Sequence, residues 1–301
     1  DNPNTNGNVY EFAKRNYGIR GGPNWRINNI RTRKQLHNNG SLIIGRGSIA
    51  NFCIAEDGVK HNAFGSPTSQ FNDCIFWKSD WPRRDNWTGM VFFDVNGAGL
   101  TSIARRCIAS VPTAYRDYAV THSKGLTGFY SHSDGAVGHD WGTITYEYCS
   151  SYATGFAIQN AQTLVLNNCY SEEERNPFSL GASQNFVTDI YSKQPTGQSI
   201  QRMITVPNDS NIDIDGLRFY GTQVADSVVF DASSVGTVNL SNSVIYRGVG
   251  TGSYAYLFYA SGDKLVNLTA NIFNFNQDNG EAAIRSDVNG NWQNNVCVDS
   301  N

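Results

Sequence analysis

The stretch Leu164-Val165-Leu166-Asn167-Asn168-Cys169-Tyr170-Ser171 decides the fold, because its pattern already stands twenty residues earlier as Ile144-Thr145-Tyr146-Glu147-Tyr148-Cys149-Ser150-Ser151. A third copy occupies residues 212–219. On each side of a central interruption, apolar or small residues alternate with polar ones, as they do in short strands with one buried face. Two inward residues lie three apart across the interruption, so the chain must turn a corner there.

The corner belongs to a phrase of two polar or small residues and one apolar residue that occurs twelve times, at intervals of 20 to 33 residues. Asn or Gly occurs in most copies, and these residue types best tolerate left-handed backbone angles. The anchors that end the phrase are Ile30, Cys53, Cys74, Cys107, Phe129, Cys149, Cys169, Ile190, Leu217, Val244, Ile272 and Val296.

A recurring corner in one register predicts an all-β fold, a right-handed single-stranded parallel β-helix (solenoid) of about twelve coils. A β-sandwich also has strands at short intervals, but antiparallel hairpins would not keep one corner phrase in register. We expect an N-terminal lead-in at residues 1–24 and the β-helix domain at 25–301. The anchors should form one inward column, with Cys149 directly over Phe129 and under Cys169.

Composition narrows the function classes. Only 16% of the 301 residues are charged, the net charge is −3, and 12% are aromatic. This balance does not build the positive field that nucleic acid or an anionic membrane requires, and no apolar run approaches about 18 residues. We therefore expect no nucleic-acid partner and no membrane insertion. The start Asp1-Asn2-Pro3, without Met, is typical of an excised fragment or a processed product.

Five of the six cysteines share the anchor position, and Cys297 lies one residue past it. Metal ligands must converge from several directions, and no Cys-x-x-Cys pair occurs. The cysteines are therefore predicted to be small apolar packing residues, with no metal site and no cofactor. The serines two positions beyond the anchors are interpreted as an inward stack: Ser131, Ser151, Ser171 and Ser192.

The longest interval, between Cys74 and Cys107, contains an unusually aromatic and charged insertion at residues 77–87. Aromatic faces can stack on sugar rings and Arg can bind sugar carboxylates, although the tryptophans could equally cap the solenoid or fill a subunit contact. The predicted sugar-binding residues in this insertion are Trp77, Trp81, Arg84 and Trp87.

The shortest coils, between Cys107 and Ile190, leave little room for loops, so their outer face should be open. Two outward columns are predicted there: His132, Tyr152, Glu172, Lys193, Tyr220 and Arg247 in one, and Tyr130, Ser150, Tyr170 and Tyr191 in the other. The residues predicted to contact substrate are Tyr152, Tyr170, Tyr191, Lys193 and Arg175.

Neighbouring coils lie about 4.8 Å apart, so carboxyls one or two coils apart could reach the separations that glycosidases use. Glu172 is the first candidate for an acid or base, with Glu147 across the corner as its partner. His132 and Asp134 are the alternative pair. Lys193 and Arg175 would hold an anionic sugar. Plain solvation remains the alternative for the acidic run at residues 172–174.

The ladder of anchors, the Asn corners and the Trp-rich insertion resemble the β-helical midsection of bacteriophage tailspikes and capsule depolymerases, from about residue 25 onward. The resemblance implies a virion-attached, extracellular homotrimer that binds and cleaves bacterial surface polysaccharide, either capsule or O-antigen, by glycoside hydrolysis or β-elimination. It assigns no catalytic residue. A non-catalytic adhesin on the same scaffold and a structural fibre segment remain alternatives, whereas the Ca²⁺-binding Asp cluster of pectate lyases is not evident.

Overall fold

Short strands separated by tight corners make up almost all of the computed structural model. The structure describes residues 19–33, 42–58, 61–79, 87–94, 97–121, 125–132, 141–174, 176–193, 202–206, 211–221, 228–232, 236–247, 258–260, 264–275, 284–286 and 290–299. All strand pairs within these ranges are parallel. The all-β parallel solenoid is therefore confirmed, and its strands form three faces, named here face 1, face 2 and face 3 in the order in which each coil passes through them.

Face 1 contains β1 (Ile19–Arg20), β4 (Leu42–Ile44), β7 (His61–Gly65), β10 (Trp87–Asp94), β13 (Gly125–His132), β20 (Arg202–Val206), β23 (Val228–Ala232), β26 (Phe258–Ala260) and β29 (Ile284–Ser286). Face 2 contains β2 (Arg26–Asn28), β5 (Ile49–Asn51), β8 (Gln70–Asn72), β11 (Thr101–Arg105), β14 (Thr143–Glu147), β21 (Asn211–Asp215), β24 (Gly236–Ser241), β27 (Lys264–Thr269) and β30 (Gly290–Gln293). Two long strands run through both faces, β16 (Phe156–Asn167) and β18 (Phe178–Thr188).

Face 3 is a sheet of eleven strands. They are β3 (Arg31–Arg33), β6 (Ile54–Glu56), β9 (Ile75–Trp77), β12 (Ile108–Ser110), β15 (Ser150–Tyr152), β17 (Tyr170–Glu172), β19 (Tyr191–Lys193), β22 (Arg218–Gly221), β25 (Val244–Arg247), β28 (Ile272–Phe275) and β31 (Val296–Asp299). Helix α1 (Thr113–Thr121) follows β12 and is the only helix within the described residues.

The backbone has the same left-handed conformation at every described corner between faces 2 and 3. A residue with φ between 49° and 82° occupies the corner in each coil, namely Asn29, Phe52, Asp73, Arg106, Tyr148, Asn168, Asp189, Gly216, Asn242, Ala270 and Asn294. The next residue points into the core. Asn and Gly suit such angles best, but Phe52 and Tyr148 show that stacking of the coils also enforces them on other residues.

The prediction of twelve coils is wrong, because one of the twelve predicted corners is not a corner. One predicted corner, at Thr127-Gly128-Phe129, lies inside β13 on face 1, where Phe129 pairs with Val91 and Phe156. The strand below β15 is β12, so Cys107 rather than Phe129 lies under Cys149. Segments that join several other coils lie outside the described residues.

The three last anchors are also corrected. Each of Val244, Ile272 and Val296 lies one position after the residue that points into the core. Ile272 is 42% exposed and Val296 is 51% exposed. Ser243 and Asn271 take the inward position and are fully buried. Polar residues are tolerated there because they bond to the main chain: the Ser243 hydroxyl accepts from Leu217 N, and Asn271 Nδ2 donates to Leu240 O.

The core is continuous through the coils. On face 1 the rings of Phe129, Phe156 and Phe178 stack with centroids 4.8 and 5.3 Å apart. The inward cysteine column is confirmed for five residues, which are buried and unbonded, whereas Cys297 is exposed. Burial raises the pKa of the Cys169 thiol to about 12, so this thiol stays protonated and unreactive at neutral pH.

Candidate functional site

The outer surface of face 3 presents an aromatic and charged patch on five successive strands, β15 to β25. Each strand places its second residue inside, as Ser151 and Ser171 show, so its first and third residues point outward. The patch, called here the tyrosine platform, consists of Tyr152, Tyr170, Glu172, Tyr191, Lys193, Arg218, Tyr220 and Tyr246.

Four rings of the tyrosine platform contact one another from coil to coil. The ring centroids of Tyr170 and Tyr191 lie 5.0 Å apart with an interplanar angle of 25°. Tyr191 and Tyr220 follow at 5.7 Å, and Tyr220 and Tyr246 at 6.2 Å. Tyr220 is 43% exposed and Tyr152 is 40% exposed. The ladder therefore presents aromatic surface to solvent along the solenoid axis.

Glu172 is the acidic group of the tyrosine platform. Its Oε2 accepts a hydrogen bond of 2.5 Å from the Tyr170 hydroxyl, and its Oε1 accepts one of 3.2 Å from Lys193 Nζ. Burial, with the hydrogen bond to Glu172, raises the pKa of Tyr170 well above its ordinary value. The hydrogen bond to Glu172 likewise raises the pKa of Lys193. Both donors are therefore protonated at neutral pH, and Tyr170 is unsuited to the role of a base.

Glu147 lies on face 2, at the end of β14. Its Oε2 accepts a hydrogen bond of 2.5 Å from Arg105 Nε, one coil below. Among the described residues, no hydrogen bond or ion pair joins Glu147 to Glu172. The two carboxylates that the sequence pairs across the corner thus have separate cationic partners on separate faces.

The acidic run at residues 172–174 diverges in three directions. Glu172 points outward, whereas Glu173, with φ of 60°, turns its carboxylate into a buried position. There Oε2 accepts a hydrogen bond of 2.8 Å from Nη1 of Arg116 in α1. Glu174 accepts a hydrogen bond from the backbone of Asn176. These three side chains therefore do not form a cluster of carboxylates.

Of the alternative acid–base pair, His132 and Asp134, the structure describes only the backbone of His132. The backbone of His132 ends β13 on face 1, paired with Asp94, so its predicted place in the column of Tyr152 is wrong. The predicted places of Tyr130 in the column of Tyr170 and of Ser131 in the serine stack are also wrong, because both residues lie on that strand. Arg247 is not in the column of Tyr152 either, because Tyr246 occupies that position. Asp134 and Arg175 lie outside the described residues.

Of the Trp-rich insertion at residues 77–87, the structure describes only the two ends. Trp77 ends β9 and stands in the outward column of Tyr152, with Ser110 between them. Trp87 begins β10 on face 1, and Trp81 and Arg84 lie outside the described residues. Trp77 can therefore extend the aromatic surface of face 3, two coils below Tyr152.

Sequence reasoning left Arg218 and Tyr246 out of the site and placed Tyr220 in the column without a role. Arg218 and Tyr220 flank the inward Phe219, so the alternation around Leu217 could have revealed them. Tyr246 could not be found, because the register at Val244 was one residue out. Metal ligands do not gather in the described ranges, where no group of three or more His, Cys, Asp and Glu residues could hold an ion.

Within the described part of the chain, no helix has the length and apolar character needed to cross a membrane. Comparison of the chain with models of known protein families, with curated proteins and with solved structures finds no match.

Proposed function

We propose that the chain binds bacterial surface polysaccharide, capsule or O-antigen, along the tyrosine platform, as a right-handed β-helix of the tailspike kind. The observation that carries the proposal is the ladder from Tyr170 to Tyr246. Tyrosine offers a flat apolar face with a polar tip, which suits a sugar ring. A polysaccharide is itself a linear repeat, so it can contact equivalent rings on successive coils about 4.8 Å apart.

The same proposal makes the protein an extracellular, virion-tail homotrimer. Exposed aliphatic side chains on face 3, beyond both ends of the tyrosine platform, support a protein contact there rather than a sugar contact. Ile75 and Ile108 lie on one side, and Ile272 and Val296 on the other. Light scattering of the full-length protein should give a trimer mass, and a monomer mass would contradict the assembly.

Binding is tested by removing rings from the tyrosine platform. Tyr191→Ala and Tyr220→Ala should each weaken retention in affinity gels containing capsule or lipopolysaccharide by about 2- to 10-fold, the scale of one aromatic contact. Phe186→Ala is the matched control, because Phe186 is 45% exposed on face 2. Equal retention of all three variants and the parent would refute the proposal.

Depolymerisation is the second candidate, because Glu172 lies among the rings that would hold the sugar. A hydrolase needs a proton donor besides a base or nucleophile, and Glu172 accepts hydrogen bonds on both oxygens. This arrangement suits a base or nucleophile better than an acid. In β-elimination, Lys193 would neutralise the uronate. Binding without cleavage is thus the function that the geometry supports best.

Glu172→Gln tests catalysis. In a catalytic protein it should cut the release of reducing ends, or the absorbance of unsaturated uronate, by about 10²-fold. Glu147→Gln measures whether the carboxylate on face 2 takes part. If both variants digest polysaccharide at the parent rate, the catalytic centre lies elsewhere, and residues 77–87 or a groove between subunits would be examined next.

A further inference from the structure

We infer that the polysaccharide bound by the tyrosine platform is acidic, and that Arg218 is the receptor for its carboxylate groups. The inference rests on the proposed function and specifies its ligand. Arg218 begins β22, directly above Tyr191 of β19 and directly below Val244 of β25. A carboxylate held there would belong to a sugar that also reaches the rings of Tyr191 and Tyr220.

The guanidinium of Arg218 is oriented by main-chain carbonyls. Its Nη1 donates to Asn242 O at 2.8 Å and to Leu217 O at 3.4 Å. Within the described ranges, its Nε and Nη2 donate to no protein acceptor. Nε and Nη2 form one edge of the guanidinium fork, and this edge matches the two oxygens of a carboxylate. The corner carbonyls thus fix the side chain while leaving its bidentate edge for a ligand.

Five basic side chains of the described residues are matched by carboxylates. Ion pairs join Arg31 to Glu56, Arg105 to Glu147, Arg106 to Asp73, Arg116 to Glu173 and Lys193 to Glu172. Arg218 has no such partner among the described residues, although carbonyls hold it in place. A fixed arginine without a carboxylate on an aromatic surface is the arrangement expected for an anionic ligand.

The local charge agrees with an acidic ligand. Of the three charged residues of the tyrosine platform, Lys193 and Arg218 are positive and Glu172 is negative, a net charge of +1. The whole chain carries −3. The net charge of the tyrosine platform therefore differs in sign from that of the whole chain, and this favours approach of an anionic chain at this surface.

The test uses an array of bacterial polysaccharides with uronate-containing and neutral repeats, together with the carboxyl-reduced form of each uronate polymer. The parent protein should bind uronate polymers and lose at least about 10-fold in affinity for their reduced forms. Arg218→Gln should lose as much on the uronate polymers, and Arg218→Lys should recover part of the loss. Arg31→Gln is the matched control, because Arg31 occupies the same outward column, seven coils away, and is paired with Glu56.

The outcomes separate this inference from the proposed function. Binding confined to neutral polymers, or uronate binding that Arg218→Gln leaves at the parent level, would overturn the role of Arg218. The proposed function would still stand in either case if Tyr191→Ala weakened that binding. An array on which the parent binds nothing would overturn both.

Discussion

Replacing Glu173 by Gln should destabilise the protein far more than the same change at the neighbouring Glu172. The Arg116 side chain is 4% exposed and that of Glu173 9% exposed, with 2.8 Å between Nη1 and Oε2. The Glu172–Lys193 pair is open to solvent, with side chains 25% and 56% exposed. The two substitutions are chemically identical and one residue apart, so burial of the pair is what distinguishes them.

The size of the effect follows from the cost of a buried charge. Removing one partner of a buried ion pair typically costs about 3–5 kcal/mol, because the other charge stays desolvated. Arg116 retains the Glu173 carbonyl at 2.7 Å and Asp117 Oδ1 at 2.9 Å. We therefore expect the lower end, about 3 kcal/mol, which corresponds to a fall of roughly 5 °C in Tm. Exposed pairs contribute much less.

Urea and thermal unfolding of both variants measure this difference, and hydrogen exchange of residues 113–121 reports whether α1 is released. Arg116→Met should be costly alone but less so in combination with Glu173→Gln, since the double variant buries neither charge. Equal unfolding midpoints for Glu173→Gln and Glu172→Gln would refute the reasoning, because burial of the pair would then have no energetic consequence.

Three further predictions concern the coils. A thiol reagent should label Cys297 rapidly in the native protein and the five buried cysteines only after unfolding; a second fast thiol would disprove the inward column. Asn271→Leu should lower the free energy of unfolding by about 2 kcal/mol, because Ser243 N loses the acceptor Asn271 Oδ1. Ile272→Ala should leave urea unfolding nearly unchanged. A larger effect of Ile272→Ala would instead support the register expected from the apolar pattern. Hydrogen bonds from Arg106 lower the pKa of Asp73, so its stabilising contribution should be complete above the ordinary Asp pKa and be lost as pH falls through the lowered value; an acid-unfolding profile unchanged in Asp73→Asn would contradict this.

The repeat predicted the parallel solenoid and the inward cysteine column because both depend on local alternation and on a corner that recurs in sequence. Two kinds of error arose. Thr127-Gly128-Phe129 imitates the phrase but lies within a face 1 strand. At Asn271 and Ile272 the apolar pattern selects the wrong neighbour, because a buried amide that bonds to Leu240 O and Ser243 N can replace an apolar residue.

The sequence predicted most positions of the candidate site but not the orientation of its side chains. The outward positions of Tyr170, Tyr191, Glu172 and Lys193 follow from their distance to the corner, and the structure brings them together. The fixed orientation of Arg218 could not be foreseen, since it depends on Asn242 O in the next coil.

By itself, the sequence determined the coil, its corner and the faces on which most side chains lie, because these are set by a few consecutive residues. Only the tertiary structure decided what each charge does. Glu172 and Glu173 are identical neighbours in sequence, yet one holds Lys193 in solvent and the other holds Arg116 in the interior. Their partners lie 21 and 57 residues away, and electrostatic effects depend on distance and burial in space, which the order of residues does not contain.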